Sequence, residues 1–259
     1  MKRLRPLWFV LLTLTLGSPQ QTLADSFSVA GAVLQPGTYP WHPGARLRDA
    51  AAAGQVRADA WFLGAALLRQ SAIEPQQRLK AGVLFDLRAS RAHAQVENNQ
   101  PLIVLLNRLT EQVTAMPITG RVTAQLAPFQ LLLAQHNLPL QPGDQLIYPT
   151  RPTHLRVMGA VQADCQLSFD AAHSMRDYLR QCPAHPAADP NHVHVIQPDG
   201  RIQQVGIAPW NEQPINIAVG AIIYRPLKAS EILPESAQLN SELATLLATH
   251  YPLGGHFSE

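Results

Sequence analysis

The sequence predicts an α+β protein of two tandem units with similar folds, a helical hairpin inserted in the first unit and an amphipathic helix near the C-terminus. Three observations predict this architecture: an internal repeat, an excess of length in the first unit, and helical spacing of the last apolar residues. Hydrophobic residues make up 46% of the 259 positions and charged residues 15%, so a buried core is expected and global disorder is excluded.

The repeat has an offset of 128 positions (159 minus 31). Gly31-Ala32-Val33 recurs as Gly159-Ala160-Val161, and Asp49, eighteen positions after the first glycine, recurs as Asp177. Each unit has the order hairpin, short helix, strand pair and closing strand, which places one helix across a small mixed sheet. This is the β-grasp arrangement. The first helix is expected to end at Gly54 in the left-handed conformation.

The first unit contains an insertion between its helix and its later strands. Asp49 and Gly120 are 71 positions apart, whereas Asp177 and Gly200 are 23 apart, a difference of 48. The inserted residues have helical patterns, so we expect helices over residues 58–69, over 81–89 and from Pro101 onward, the last capped by Asn98 or Asn99. The apolar positions of that last helix are Leu102, Leu105, Leu106, Leu109 and Val113.

These patterns divide the chain into four segments. We expect a signal peptide at residues 1–24, a first β-grasp domain at 25–152 with its insertion at about 55–116, a second at 153–230, and a C-terminal amphipathic helix and tail at 231–259. The last helix is expected to begin at Pro234 and run to about His250. Its apolar stripe either packs on its own domain or docks on a partner or a membrane surface.

The N-terminus has the pattern of a secretory signal peptide. Lys2, Arg3 and Arg5 precede an apolar stretch over residues 7–16, with small residues before Asp25. We expect cleavage there and export to the periplasm, without lipidation because neither cysteine is near the cut; an uncleaved anchor is the alternative. Removing the three positive charges changes the formal net charge from +2 to −1 (2 minus 3), and no basic stripe for nucleic acid is visible.

The two cysteines, Cys165 and Cys182, are 17 positions apart, and in an exported chain they are expected to form a disulfide. The alternative is a pair of buried thiols. Cys182-x-x-His185 is followed by His192-x-His194, and these four residues are of the types that bind zinc. We expect no metal and no cofactor, since both histidines of the second pair would point outward from a strand and a disulfide would consume the thiolate.

The repeated motifs resemble those of a known family. Val29-x-Gly31-x-Val33-x-x-Pro36-Gly37-x-Tyr39 followed by Leu47-x-Asp49 resembles the SLBB type of β-grasp domain in polysaccharide export proteins. With the insertion and the terminal helix, residues 27–250 resemble the GfcC-like capsule biosynthesis family. In the second unit Gln162–Asp164 replaces the Pro-Gly turn, and Leu167 stands in place of Tyr39.

The resemblance implies a periplasmic accessory protein for capsule or exopolysaccharide assembly or export, which binds polysaccharide or the export machinery and is not an enzyme. A periplasmic carbohydrate-active enzyme is the alternative. The chain has no Gly-x-Ser-x-Gly, Ser-x-x-Lys or His-Glu-x-x-His motif, and its scattered acidic residues do not identify a catalytic pair.

The ligand-binding candidates are Arg121, Tyr39 and Trp41. Arg121 directly follows the insertion, so it is expected in a cleft where the insertion meets the sheet, with its guanidinium holding a carboxylate or sugar hydroxyls. A structural arginine bonded to carbonyls at a helix C-terminus is the alternative. If Arg121 binds the ligand, Arg121→Ala should abolish polysaccharide display with little change in melting temperature. Arg201→Ala should change neither property.

Overall fold

The computed structural model describes residues 26–251 and contains two five-stranded mixed sheets. The signal peptide expected at residues 1–24 and the tail after residue 251 lie outside the described residues. The strands of the first sheet are β1 (Ser26–Gly31), β2 (Gly37–Pro40), β3 (Ala66–Leu68), β4 (Arg121–Val122) and β5 (Gln145–Tyr148). Those of the second are β6 (His154–Gly159), β7 (Cys165–Ser168), β8 (His192–Ile196), β9 (Ile202–Gly206) and β10 (Ile222–Arg225).

The two sheets have the same topology. Their strand orders are β2-β1-β5-β3-β4 and β7-β6-β10-β8-β9. In each sheet the strand that comes first in the sequence pairs in parallel with the strand that comes last, β1 with β5 and β6 with β10. The other pairs are antiparallel. The predicted α+β fold of two repeated sheet units is therefore confirmed.

The repeated glycine has a steric reason in both units. Gly31 and Gly159 end the first strand of each sheet with φ of +90° and +99°. A Cβ at Gly31 would lie 2.1 Å from the Tyr148 carbonyl oxygen, and one at Gly159 would lie 2.4 Å from the Arg225 carbonyl oxygen. Only glycine fits where the closing strand passes so near.

One short helix crosses a face of each sheet. These are α1 (Leu47–Gly54) and α4 (Met175–Gln181). The repeated aspartate closes the helix start in both: Asp49 Oδ2 accepts the backbone N–H of Arg46 at 2.8 Å, and Asp177 Oδ2 accepts that of Ser174 at 2.8 Å. Such capping contacts stabilise a helix terminus by about 1 kcal/mol.

Helix α1 ends at Gly54 as expected, but the prediction that Gly54 takes the left-handed conformation is wrong. The left-handed residue at the end of α1 is Gln55, with φ of 51°, while Gly54 is the last helical residue. A Cβ at Gly54 would lie 2.6 Å from Val29 Cγ1. Glycine is needed there because the helix end approaches strand β1 closely, rather than for its backbone freedom.

The inserted helical hairpin lies between β3 and β4. It consists of α2 (Ile73–Val96) and α3 (Gln100–Ala115). The expected helix from Pro101 is confirmed: the Asn99 side chain accepts the Leu102 N–H at 3.3 Å, and the five predicted apolar positions are buried. The piece expected at residues 81–89 is part of α2.

The prediction of a helix over residues 58–69 is wrong. That segment contains a single 3-10 turn, Phe62–Gly64, followed by strand β3. All three residues of β3 are buried, because this strand lies between β5 and β4. Periodicity cannot separate so short an apolar run from a helix when both of its faces are covered.

The C-terminal helix α5 (Leu239–Thr249) begins later than expected, because Pro234–Ser236 forms only a 3-10 turn. Its apolar stripe is covered by α2 and by strands of the second sheet, so the stripe packs within the chain, and docking of this helix on a partner stays a prediction. The hairpin of the first unit, α5 and one face of the second sheet share one hydrophobic cluster. The buried stripe is Leu239, Leu243, Leu246 and Leu247.

Arg108 of α3 fixes the hairpin to the second sheet. Its Nη1 donates to the Gln162 carbonyl at 2.6 Å, and its Nη2 donates to those of Gly159 and Val161 at 3.0 and 2.6 Å. These charge-assisted bonds satisfy the turn after β6. Across residues 26–251, no helix has the length and apolar character needed to cross a membrane.

Candidate functional site

An open cleft of about 270 Å³ lies where the inserted hairpin meets the second sheet. Its walls come from the end of α3 and the following loop, from β6 and the turn after it, and from the end of α5. The lining residues are Gln112, Ala115, Met116, Pro117, Arg156, Met158, Asp164, Leu247 and His250.

The alternation of β6 aims one arginine into this cleft. Leu155 and Val157 are buried in the core under α4, whereas Met158 packs against the cluster formed by the hairpin and α5. Arg156 shares the face of Met158, because side chains two positions apart on a strand point the same way. The hairpin and α5 then form walls around the guanidinium.

Arg156 is half-buried, and its guanidinium has no hydrogen bond or ion pair to any side chain or carbonyl of residues 26–251. A guanidinium carries five N–H donors, and a partly buried one normally has protein acceptors. Burial lowers the pKa of Arg156, and the negative charge of Asp164 partly opposes this shift. The donors of Arg156 are thus available at the cleft.

Asp164 is the one carboxylate among the lining residues. Its Oδ2 accepts a hydrogen bond from Gln112 Nε2 at 2.7 Å. Desolvation raises the pKa of the Asp164 carboxyl, while Arg108, Gln112 and Arg156 act in the opposite direction. The carboxylate is therefore held at the rim by an amide and neighbouring cations, without a direct ion pair to Arg156.

His250 forms the wall contributed by the end of α5. Burial, together with the positive charge of Arg156, lowers its pKa to about 4, although the Pro117 backbone favours the charged form. Arg121 and Lys80 add to the lowering. Its Nδ1 is buried and has no hydrogen-bond partner within the described part of the chain. The imidazole is neutral at neutral pH.

This lowered pKa predicts a loss of stability in acid. Because unfolded histidine binds a proton near pH 6.5 and folded His250 only near pH 4, the free energy of unfolding falls as the pH decreases between those values. After allowance for partial exposure, we expect a loss of about 2 kcal/mol relative to a His250→Gln variant. Urea unfolding at pH 6.5 and at pH 4 measures this loss of stability. The control is His93→Gln, because the His93 side chain is 46% exposed. Equal pH dependence in wild type and His250→Gln would contradict the assignment.

Arg121 lies beneath the cleft and has partners of its own. Its Nη1 donates to the Ala248 carbonyl at 3.4 Å, and its Nη2 donates to the Pro198 carbonyl. The guanidinium carbon lies 5.5 Å from the ring centroid of Tyr251, and the residue is only 7% exposed. Burial lowers its pKa, whereas Tyr251 and Asp199 act in the opposite direction.

These contacts match the structural alternative for Arg121, since Ala248 belongs to the last turn of a helix, here α5. The expected cleft at the edge of the insertion exists, but the guanidinium that opens into it belongs to Arg156. The sequence analysis did not single out Arg156, because only tertiary packing turns its face of β6 into a cleft. A ligand contact by Arg121 stays a prediction.

The aromatic candidates lie in the first unit, away from the lining of the cleft. Trp41 Nε1 donates to the Leu140 carbonyl at 3.1 Å, and the ring packs against the core under α1. Tyr39 stacks on Phe27 with ring centroids 5.6 Å apart. Both are half-buried, and sugar binding by either stays a prediction.

The disulfide between Cys165 and Cys182 is confirmed. It joins the start of β7 to the residue after α4. At the equivalent place in the first unit, the Tyr39 hydroxyl lies 3.0 Å from the Ala53 carbonyl oxygen and 2.6 Å from that of Gln35. The second unit thus uses a covalent link where the first uses hydrogen bonds, which compensates for Leu167 in place of Tyr39.

Comparison with known proteins agrees with the resemblance in the sequence. The family model for the capsule biosynthesis GfcC C-terminal region matches residues 163–252. The chain is also 26% identical over 201 residues to "Uncharacterized protein YjbG" of Escherichia coli (strain K12), covering 77% of this chain and 80% of that protein. These matches support a GfcC-like family. The matched region of the family model contains Asp164 and His250 of the cleft, together with the disulfide and α5.

Cys182 and two of the three candidate metal-ligating histidines, His185 and His192, have other partners. Cys182 is in the disulfide, and the His185 Nδ1 accepts the backbone N–H of Ala187 at 3.1 Å. His192 lies 3.2 Å from the Asn211 side-chain amide. Within residues 26–251, no three His, Cys, Asp or Glu side chains are grouped so that they could hold a metal ion.

Proposed function

We propose that the protein is a periplasmic, non-enzymatic accessory factor in capsule or exopolysaccharide assembly or export, and that it acts by binding polysaccharide or a component of the export machinery. The observation that carries this proposal is the match of residues 163–252 to the capsule biosynthesis family. Export is supported by the signal-peptide pattern at residues 1–24 and by the disulfide, a bond that persists in oxidising compartments.

The chemistry of the cleft supports binding over cleavage. Most glycoside hydrolases use two carboxyl groups about 5–9.5 Å apart, one of them protonated. The cleft lining offers Asp164 alone, and the Gln112 amide engages it. Beside it stands Arg156, whose planar donor array suits the recognition of oxygen-rich ligands. A periplasmic carbohydrate-active enzyme is the second candidate, which a carboxylate pair at some other site would favour.

Deleting the gene in the organism that carries it tests the role directly. Surface-displayed polysaccharide and total cellular polysaccharide are measured separately in the deletion strain, and again after complementation with the full chain. We expect display to fall and complementation to restore it. A second complementing copy that lacks residues 2–24 keeps residues 25–259 and should fail if the protein acts after export. Normal display in the deletion strain would overturn the proposed function.

A further inference from the structure

The cleft contains one cation whose donors are uncommitted. Lys80, which lies near His250, donates to the carbonyls of Thr114 and Met116 at 2.9 and 2.6 Å. Arg121 donates to two carbonyls, so among these three cations only the Arg156 side chain has no hydrogen-bond acceptor within residues 26–251. A half-buried guanidinium without an acceptor is costly, and an anionic ligand would remove that cost.

We propose that this cleft binds the carboxylate of an acidic sugar residue, with Arg156 as its bidentate partner. The inference rests on the proposed function and names the class of sugar that the same site would take. A planar carboxylate matches the parallel N–H groups of a guanidinium. One uncommitted cation suits a singly charged group better than a doubly charged phosphate, for which the cleft offers no second free cation.

The remaining walls fit the rest of a sugar ring. Met116, Met158 and Leu247 supply apolar surface for the C–H face of the ring. His250 lines the cleft without adding a further positive charge, because its lowered pKa keeps the imidazole neutral at neutral pH. At about 270 Å³, the cleft is slightly smaller than the pockets of about 300–1,000 Å³ that hold drug-sized ligands, so it suits one sugar residue of a chain.

Calorimetric titration of the purified mature protein tests this assignment. The probes are trigalacturonate, its methyl ester, neutral maltotriose and inorganic phosphate. We expect trigalacturonate to bind, and the methyl ester and maltotriose to bind at least about tenfold more weakly, since both lack the carboxylate charge that strengthens hydrogen bonds from a guanidinium. No binding of trigalacturonate, equal binding of maltotriose, or tighter binding of phosphate would each overturn the proposal.

Variants of Arg156 link the binding to the residue. Arg156→Gln is expected to weaken trigalacturonate binding at least about tenfold, and Arg156→Lys to weaken it less because the charge remains but the fork is lost. Arg78→Gln, at an arginine on α2 whose side chain is 74% exposed, should leave binding unchanged. Melting curves establish whether each variant is folded. If Arg156→Gln is not folded, the binding test uses Arg156→Lys. Unchanged binding in the folded Arg156 variants would overturn the proposal.

The two proposals fail separately. If the deletion strain loses polysaccharide display but trigalacturonate does not bind, the acidic-sugar assignment is wrong and the role in display stands. If display is normal in the deletion strain, the proposed function is wrong whatever the titration gives.

Discussion

Replacing Arg121 with alanine is expected to lower the free energy of unfolding by about 2–4 kcal/mol, because the change removes two charge-assisted hydrogen bonds and a contact with the Tyr251 ring from a buried site. The carbonyls of Ala248 and Pro198 would be left without these donors. Since α5 ends at this point, its last turn should loosen first. Urea denaturation monitored by far-UV circular dichroism measures the change.

Arg201 provides the matched control for Arg121. It follows the equivalent glycine of the second unit, pairs with Asp199 at 2.6 Å, and its side chain is 66% exposed. The Asp199 side chain is only 9% exposed, but its Oδ1 also accepts the backbone N–H of residue 201, which Arg201→Ala retains, so this change should cost less than Arg121→Ala. If instead Arg121→Ala keeps full stability and abolishes polysaccharide display, the binding hypothesis drawn from the sequence is correct and the structural role is wrong.

Removing the disulfide by Cys165→Ala together with Cys182→Ala is expected to cost about 3 kcal/mol, the chain-entropy value for closing a loop of 17 residues. The loss should be local. Amide hydrogen exchange should accelerate in β6, β7 and α4, where the link holds the hairpin to the helix end, and much less in β1, β2 and α1. Chemical denaturation gives the total cost and exchange gives its distribution.

The first unit supplies a matched comparison for the disulfide. Tyr39→Phe removes the hydroxyl that lies near the Ala53 and Gln35 carbonyls, at the equivalent place of the repeat. We expect this change to cost about 1 kcal/mol, the usual value for one hydrogen bond. A double cysteine variant that is as stable as wild type would contradict the structural role of the disulfide.

The parts of the fold that could be predicted from sequence are those set by local spacing. Helix α3 carries its apolar positions at helical intervals behind Asn99, and the two β-grasp units repeat their glycine and aspartate at one fixed offset. Both signals can be read along the chain without knowing which segments pack together. Strand β3 could not be predicted in the same way, because its three buried residues have no period of their own and owe their conformation to β5 and β4.

The candidate site could be predicted only in part. The length difference between the units located an insertion, and a cleft beside it with an arginine was expected. No pattern in the sequence indicates that the hairpin of the first unit covers the sheet of the second. That packing places Arg156, Asp164 and His250 around one cleft although they come from β6, a turn and the end of α5. The same packing buries Arg121 under α5 and Tyr251.

We propose that the protein binds polysaccharide without cleaving it. Incubating the purified mature protein with polysaccharide extracted from the organism that encodes it tests both halves at once, through co-sedimentation and through chain length by size-exclusion chromatography. We expect the polysaccharide to co-sediment with the protein. We also expect the length distribution of the polysaccharide chains to stay constant over time. Shortening of the chains, or no retention, would contradict it.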